Sequence, residues 1–323
     1  MRLTAIDNTT PMQRLEIEET DWEKLTAFEA KRLATLSQRS PKSVYRYEHN
    51  GEKKFLAFRR ATTVMESALI NDAFDRIYFS SVDGFQITTK DDIAAGLPPA
   101  RVGVPTPTLP NMAVSVSGGS QALSETRAYV ATLVSKYGEE SGPTSPKLAD
   151  GPGDGAWRIT GLSTILYDES QYPNVTHLRL YRTITSATGV DYRLAQEFPI
   201  GDVPAVVADD TESTDLASAV ALRSIAWEPP PDGLQGVIPL PGGFNAGFRG
   251  RTVYFSVPYY PHAWPSDFQL AVEDDIVALG HFGNTLVIAT KGKLAIAVGT
   301  QPEAMSLVTD GKIVPCLSAD SLV

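Results

Sequence analysis

Hydrophobic and polar residues follow one another in short runs that predict β-strands over most of the chain. The runs in which apolar and polar residues alternate are 112–116, 127–134, 177–182 and 192–198. Successive side chains of a strand point to opposite faces, so alternation is typical of strands with one buried face. The later runs that are almost continuously apolar are 252–256, 276–280, 285–290 and 294–299. The pattern predicts a mainly β protein.

The first hundred residues combine a predicted helix with a small β region. Thr20 and Glu23 have the spacing of a capping box, and apolar residues recur behind them at helical spacing until residue 40. This helix either packs its apolar face on the rest of the protein or docks a partner chain. Asn50-Gly51 separates two strand-like runs and predicts a hairpin, because both residues tolerate positive φ. Residues 76–80 predict a further strand.

Prolines between residues 98 and 110 predict a stiff connector, because each one fixes φ and removes a backbone donor. A boundary at this connector gives three predicted domains. The segment 1–108 holds the helix and the small β region. The segment 109–218 is predicted to be an immunoglobulin- or fibronectin-III-like β-sandwich, and 219–323 a partial β-propeller.

Two details qualify these domains. Residues 137–143 resemble the Gly-Glu-Ser-x-Pro stretch found late in fibronectin type III domains, but here they come early, which indicates a permuted strand order. A propeller needs at least about four blades to close, and 219–323 has room for one or two. The partner strands would then come from other chains, or the chain is a fragment of a longer one.

Composition excludes several classes of protein. The chain has 323 residues, 42% of them apolar, which is enough to bury a core. No run approaches the roughly 20 apolar residues of a membrane-spanning helix, and we expect no secretory signal at the N-terminus. Cys316 is the single cysteine, which excludes a disulfide scaffold and a multi-cysteine zinc site. Its apolar neighbours predict a small buried side chain.

The distribution of charge argues against nucleic-acid binding as the main function. The net charge is −10, from 28 basic and 38 acidic residues. Residues 1–60 carry 12 basic and 9 acidic side chains, whereas residues 109–220 carry 7 and 14. A protein that reads DNA usually shows a basic stripe, and none is present after the first sixty residues.

Three pairs of adjacent carboxylates are the first candidates for chemistry: Glu139-Glu140, Asp209-Asp210 and Asp274-Asp275. Neighbouring residues of a strand face opposite sides, so the members of a pair cannot readily act as acid–base partners. We predict that they are solvated surface or turn residues. Asp150 and Asp154 belong to a glycine-rich loop that lacks the ligand series of an EF-hand, so a turn is the better interpretation.

The histidines are the second set of candidates: His49, His177, His262 and His281. They are far apart and form no metal-binding pair at helical spacing. His262, which lies between two prolines and beside a tryptophan, is the strongest catalytic candidate, but we predict that it pins a loop. The sequence therefore predicts no catalytic, cofactor-binding or metal-binding residue, and no enzyme.

Three segments carry a resemblance to a known family: 76–79 with 102–107; 126–134 with 137–143; and 227–236 with 246–250 and 255–265. Together they resemble the tail nozzle or tail-tubular structural proteins of short-tailed bacteriophages. The likeness spans residues 70–323 and is most specific in the third segment. Proteins of this family usually look longer than this chain and have a complete propeller.

The resemblance implies a non-enzymatic virion protein that is assembled in the host cytoplasm. It would form a ring of about six copies, dock portal or adaptor proteins and tail fibres or tip proteins, and extend the DNA-ejection channel. DNA would pass the lumen without specific binding, and an acidic ring would repel it and favour sliding. The acidity could equally serve solubility alone. The alternatives are a baseplate hub or fibre-attachment protein, or a depolymerase that cleaves cell-surface glycan.

Overall fold

The computed structural model describes residues 2–7, 10–16, 41–67, 72–120, 124–186, 189–209, 211, 213–308, 315–316 and 318. These residues form a mainly β protein, as the sequence predicts. The described strands form six sheets, none of them closed. The predicted helix that begins at Thr20 lies outside the described residues.

The chain divides into two compact units. Unit 1 comprises residues 1–102 and 230–323, and unit 2 comprises residues 103–229. The first boundary falls within the proline-rich connector. The first and third predicted segments thus share unit 1, so the chain leaves this unit and returns to it. The assignment of three domains remains a prediction.

The N-terminal part of unit 1 contains two sheets. The strands of the first, in the order β2-β1-β4-β3, are β1 (Arg2–Asp7), β2 (Thr10–Glu16), β3 (Ser43–His49) and β4 (Glu52–Phe58). The strands of the second, in chain order, are β5 (Thr63–Glu66), β6 (Arg76–Ser81), β7 (Gly84–Thr89) and β8 (Ala100–Arg101). The pairing of β1 with β4 is parallel, and the others are antiparallel.

Local sequence explains the turns of this region. Asn50 and Gly51 adopt φ of 53° and 74° and connect β3 to β4, so the predicted hairpin is confirmed. Helix α1 (Lys90–Ala95) begins after Thr89, whose hydroxyl accepts a hydrogen bond from the backbone N–H of Asp92. It ends at Gly96 in the left-handed region.

The C-terminal part of unit 1 contains two four-stranded antiparallel meanders. The first consists of β16 (Gln235–Pro239), β17 (Asn245–Arg249), β18 (Thr252–Phe255) and β19 (Gln269–Ala271). The second consists of β20 (Ile276–Phe282), β21 (Thr285–Thr290), β22 (Ala295–Val298) and β23 (Ser306–Val308). Both contribute to one apolar core, in which Phe244 and Phe255 meet Leu286 and Ile288. A short 3₁₀ helix, Pro302–Ala304, precedes β23.

Unit 2 contains a four-stranded and a three-stranded antiparallel sheet. The strands of the larger, in the order β11-β10-β13-β14, are β10 (Ser124–Ser135), β11 (Lys147–Pro152), β13 (Val175–Ser186) and β14 (Gly189–Pro199). The strands of the smaller, in the order β15-β12-β9, are β9 (Ala113–Ser117), β12 (Ala156–Thr160) and β15 (Val206–Ala208). The short helical segments are Leu162–Thr164, Ile200–Asp202 and α2 (Ser213–Leu216).

The two sheets of unit 2 share a core. Tyr129 and Leu180 from the larger sheet belong to the same buried cluster as Trp157 and Ile159 from the smaller one. The prediction of a strand over 127–134 is confirmed, but the prediction of a single buried face is wrong there, because every residue of β10 from Arg127 to Ser135 is buried. The opposite face of β10 and β13 carries Tyr181, in a second, smaller cluster.

Candidate functional site

The first predicted carboxylate pair lies among polar partners on the larger sheet of unit 2. Glu140 accepts hydrogen bonds from the hydroxyls of Tyr181 at 2.7 Å and Thr132 at 2.6 Å. Nη1 of Arg179 lies 3.2 Å from the same carboxylate. Glu139 is buried. The prediction of solvated residues is therefore wrong for this pair, because the turn after β10 folds back onto the sheet.

Asp209 lies deeper still. Its Oδ2 is 2.9 Å from Nη1 of Arg182 and 2.7 Å from the hydroxyl of Tyr129, and all three residues are fully buried. Tyr129 and Arg182 are cross-strand partners of β10 and β13, so both point to the same face of the sheet. The prediction of a surface or turn residue is wrong for Asp209. Asp210 lies outside the described residues.

A second arginine reaches the same carboxylate. Nη1 of Arg127 is 3.8 Å from Oδ2 of Asp209, and its guanidinium carbon is 4.4 Å from the centre of the Trp157 ring. Burial, together with the charge of Asp209, raises the pKa of Tyr129. The cluster is fully enclosed and internally paired, so its geometry supports a structural role rather than acid–base chemistry.

The third carboxylate pair lies at the surface, as predicted. Asp275 accepts hydrogen bonds from Arg251 and Lys291, which lower the pKa of its carboxyl group. Asp274 accepts a hydrogen bond from the backbone N–H of Lys293. It also lines a cleft of about 380 Å³. Glu273 lines the same cleft and pairs with Nζ of Lys293 at 2.7 Å. The carboxylate of Glu273 therefore already has a counter-ion in Lys293.

Of the two carboxylates predicted to lie in a turn, Asp154 lies in the turn between β11 and β12, whereas the prediction is wrong for Asp150, which lies on β11. Asp154 accepts the backbone N–H and the hydroxyl of Ser120, and Asp150 accepts the hydroxyl of Thr126. Across the residues that the structure describes, no group of three or more His, Cys, Asp or Glu side chains could hold a metal ion.

The predicted single residues lie in separate places. His49 is 3.6 Å from Asp91, His177 contacts the hydroxyl of Thr176, and His281 is exposed on β20. Cys316 is only half-buried, so the prediction of a buried side chain is wrong. Its backbone N–H bonds to Thr290, and its side chain faces the carbonyl of Ser318.

His262 belongs to a tightly bonded loop that follows β18. It is buried, and its ring lies edge-on to Tyr260 with 5.8 Å between the ring centres. The indole N–H of Trp264 donates to the carbonyl of Pro261 at 2.8 Å. The backbone N–H of Val257 donates to the carbonyl of Ala263 and closes the loop. These bonds come from Trp264 and the backbone, so the loop-pinning role of His262 stays a prediction.

Four connections at one end of the two C-terminal meanders form a surface on which aromatic side chains are exposed. We call this the aromatic loop surface; it consists of residues 239–245, 256–268, 282–285 and 299–305, and its two charged residues, Asp267 and Glu303, are exposed. Its most exposed side chains are Phe282, with 86% of its area accessible, and Tyr259, with 58%. Tyr260, on the same surface, and Val298, next to it, are also exposed.

Direct contacts join these connections. The ring of Tyr259 covers Gly243, where a built Cβ would lie 2.6 Å from Cε1 of the ring. A Cβ on Gly242 would lie 3.0 Å from the carbonyl oxygen of Thr300. The backbone N–H of Gly299 donates to Asn284, two residues from Phe282. The surface is therefore continuous across both meanders.

Tyr259 holds a strained backbone on this surface. Its φ is +65°, a value that bulky residues rarely adopt because Cβ approaches the backbone. Its backbone N–H donates to the carbonyl of Gly243 at 2.7 Å. Such strain is often found where a side chain is held in place for recognition.

Seven of the nine Asp, Glu, Lys and Arg residues of 235–308 lie at the opposite end: Arg249, Arg251, Glu273, Asp274, Asp275, Lys291 and Lys293. Several of them form ion pairs, such as that of Arg251 with Asp275. The other two, Asp267 and Glu303, lie on the aromatic loop surface. Backbone bonds from Val272 to Arg251 and from Lys291 to Asp275 connect these turns. Sequence reasoning missed the segregation, although counting charges by connection over residues 235–308 would have indicated it.

Neither a scan against protein-family models nor a search of curated proteins returned a match for this chain. No helix among the described residues is both long and apolar enough to cross a membrane. The case for a function therefore depends on the sequence segments and on the geometry above.

Proposed function

We propose that this chain is a structural protein of a bacteriophage tail, of the nozzle or tail-tubular type. It assembles into an oligomeric ring, extends the DNA-ejection channel, and docks portal or adaptor proteins and fibres. In this proposal it is not an enzyme. The sequence segments that resemble such proteins are the starting point. The third and most specific of them, 227–236 with 246–250 and 255–265, covers parts of β16, β17 and β18.

The observation that carries the proposal is the pair of consecutive meanders in unit 1. Each has four antiparallel strands in chain order, and the two share one core. This arrangement is the one expected of neighbouring propeller blades. Two blades leave a propeller open, so a subunit built this way would depend on neighbours to complete its β structure.

Unit 2 supports the same proposal. Its four-stranded and three-stranded sheets enclose a common core, as in an immunoglobulin- or fibronectin-III-like module. Modules of this kind present loops and sheet edges for attachment. In a tail protein we assign it to docking fibres or adaptor proteins.

The net charge of −10 is compatible with a conduit for DNA. Each phosphate that a channel neutralises adds binding affinity through counterion release, which would slow transit. A ring of acidic subunits repels the DNA instead.

The test is the mass of the purified chain by light scattering, alone and mixed with the adaptor complex of a short-tailed phage. The control is an unrelated monomeric protein of similar size and net charge. A ring-sized species, formed alone or on the adaptor, supports the proposal. A chain that stays monomeric and ignores the adaptor contradicts it, and hydrolysis of cell-surface glycan would then be measured.

A further inference from the structure

We propose that an exposed, positively charged face of the β3–β4 hairpin in unit 1 binds unit 2 of a second copy of this chain. The contact joins two different surfaces, so the copies add head to tail. Contacts of this kind close into rings when the rotation between neighbouring copies allows it. The inference deepens the ring assembly proposed above and rests on it, because it assigns the surfaces through which neighbouring copies meet.

The two sides of the β3–β4 hairpin differ in character. One side contributes Tyr47, Leu56 and Phe58 to a buried apolar cluster. Neighbouring residues of a strand point to opposite sides, so the residues between these form the other side. The side chains exposed on that other side are Val44, Arg46, Glu48 and Lys53.

Two further basic residues, Lys42 and Arg59, are exposed at the end of the hairpin where Ser43 pairs with Phe58. We call Lys42, Arg46, Glu48, Lys53 and Arg59 the cationic hairpin surface. With four basic residues and one acidic residue, it has a net charge of +3 in a chain whose net charge is −10. This surface is therefore suited to an acidic partner.

The other two basic residues of the hairpin region already have counter-ions. Nζ of Lys54 lies 3.7 Å from a carboxylate oxygen of Glu52, and Nε of Arg60 lies 2.9 Å from one of Asp83. Neither residue is counted in the cationic hairpin surface.

Unit 2 has the opposite charge on its surface. Among its described residues, eight Asp and Glu residues are exposed, against only two Lys and Arg residues, Lys136 and Arg223. Its other basic residues are buried or half-buried, as Arg127 and Arg182 are beside Asp209. The outside of unit 2 is therefore acidic.

Several of these carboxylates lie at the end of unit 2 where β10 and β12 begin. Asp154 accepts hydrogen bonds from Ser120, which joins the connections β9–β10 and β11–β12. Arg127 donates to the carbonyls of Gly153 and Asp209, so the connection after β15 meets them.

We call the exposed carboxylates at this end, Asp150, Asp154 and Asp215, the acidic end. The sequence around them, 117–126, 150–156 and 208–215, contains no Lys or Arg. Within unit 2, the acidic end is therefore the place where an approaching cationic surface meets the least repulsion.

Charge complementarity selects the occupant of the cationic hairpin surface. Two copies that each carry −10 repel one another at most orientations, and this surface against the acidic end is an orientation in which they attract. Every copy carries both surfaces, so each copy can bind one neighbour through each of them. Double-stranded DNA is the competing polyanion, but Glu48 lies directly across from Lys53 and would repel phosphate.

The test is sedimentation equilibrium of the full chain at about 0.01 M salt, with two charge-reversed variants. Arg46→Glu with Lys53→Glu reverses the cationic hairpin surface, and Asp150→Lys with Asp215→Lys reverses the acidic end. Each variant alone should associate at least about tenfold more weakly than the original chain, because like charges then face each other. An equimolar mixture of the two variants should associate again, because each reversed surface then meets one of opposite charge. A misfolded variant would not be rescued in this way.

Arg223→Glu with Arg249→Glu is the matched control. Both arginines are exposed and lie outside the two surfaces, and the double substitution changes the net charge by the same amount as Arg46→Glu with Lys53→Glu. Association of the control should match that of the original chain. Raising the salt from about 0.01 M to about 0.15 M should weaken association of the original chain, because it screens attraction between opposite charges.

Four results would overturn the inference. The original chain could remain monomeric at low salt at every concentration. The hairpin variant and the control could weaken association equally, which would indicate a general effect of net charge. The mixture of the two reversed variants could fail to associate. A fluorescent DNA duplex could bind the original chain and not the hairpin variant, while self-association persists in both.

These results are distinguishable from a failure of the tail role. A ring that persists in the hairpin variant would reject the two assigned surfaces and still support ring assembly. A chain that is monomeric alone but forms a ring on the adaptor complex would do the same. Only a chain that forms no ring in either condition contradicts both proposals.

Discussion

Nη1 of Arg182 lies 2.9 Å from Oδ2 of Asp209, and both side chains are fully buried. A buried ion pair gains little over an apolar pair of similar size, but the loss of one partner leaves an uncompensated charge. Asp209 also lies 3.8 Å from Arg127, so one carboxylate forms ion pairs with two guanidinium groups.

Asp209→Asn should therefore destabilise unit 2 by about 3–5 kcal/mol. Hydrogen exchange of the β10 and β13 amides reports on this unit alone, and their protection should fall accordingly. Asp275→Asn, which breaks a surface ion pair, is the control and should leave exchange unchanged. Equal protection in both variants would mean that Asp209 does not neutralise the buried arginines.

Two tyrosines of unit 2 should make the protein sensitive to alkali. Burial and a neighbouring carboxylate raise the pKa of Tyr129 and of Tyr181. Their contribution to stability is fully present below the unfolded pKa of about 10 and is lost as the pH rises towards the folded pKa. Tyr181→Phe should thus lower stability at pH 7 by about 1.5–3 kcal/mol, because Glu140 loses a hydrogen bond.

The difference in the free energy of unfolding between Tyr181→Phe and the original chain should then become smaller above pH 10. Unfolding in urea at pH 7 and at higher pH measures it. A constant difference would show that the ionisation of Tyr181 is not linked to folding.

Asp72 should contribute to acid unfolding. Burial alone would raise its pKa, but hydrogen bonds from the side chain and backbone of Arg76 outweigh burial and lower it. The stabilisation is present above the unfolded pKa of about 3.9 and is lost as the pH falls through the lower folded pKa. Asp72→Asn should reduce stability at neutral pH and flatten the acid limb of a stability–pH curve. Stability–pH curves of Asp72→Asn and of the original chain that run parallel at acidic pH would contradict this prediction.

Gly243→Ala should destabilise unit 1 by more than the cost of backbone strain alone. The φ of Gly243 is +80°, and the new Cβ would meet the Tyr259 ring at 2.6 Å. Gly250→Ala is the control, since φ there is +60° with open space around it, and it should cost about 1–2 kcal/mol. If urea unfolding gave equal losses of unfolding free energy for Gly243→Ala and Gly250→Ala, the Tyr259 ring would have to move freely out of the way.

Short alternating or apolar runs predicted where strands lie, but not which of their faces are buried, since β10 is buried on both faces from Arg127 to Ser135. The alternating run 127–134 became β10, and the apolar run 285–290 became β21. The hairpin turn at Asn50-Gly51 could also be predicted from the sequence, since few residue pairs adopt its φ values. The order in which strands pair cannot be read from any short segment of the sequence. The parallel pairing of β1 with β4 was therefore not predicted.

The burial of Glu139 and Asp209 could not be predicted from their neighbours in sequence. Acidic residues are rarely buried without partners, and the partners of Asp209 lie on distant strands at Arg127 and Arg182. The aromatic loop surface was not predicted for a similar reason. Its connections are spread over residues 239–305 and meet only when the two meanders pack together.

The return of the chain to unit 1 has a consequence during synthesis on the ribosome. The backbone N–H of Val237 donates to Oγ of Ser80 at 2.9 Å, a bond between residues 157 positions apart. At roughly 5–20 residues per second, β6 emerges on the order of ten seconds or more before its partner exists. Residues 103–229 can complete their own sheets in that interval. Unit 1 is therefore expected to be the last part of the nascent chain to become resistant to protease.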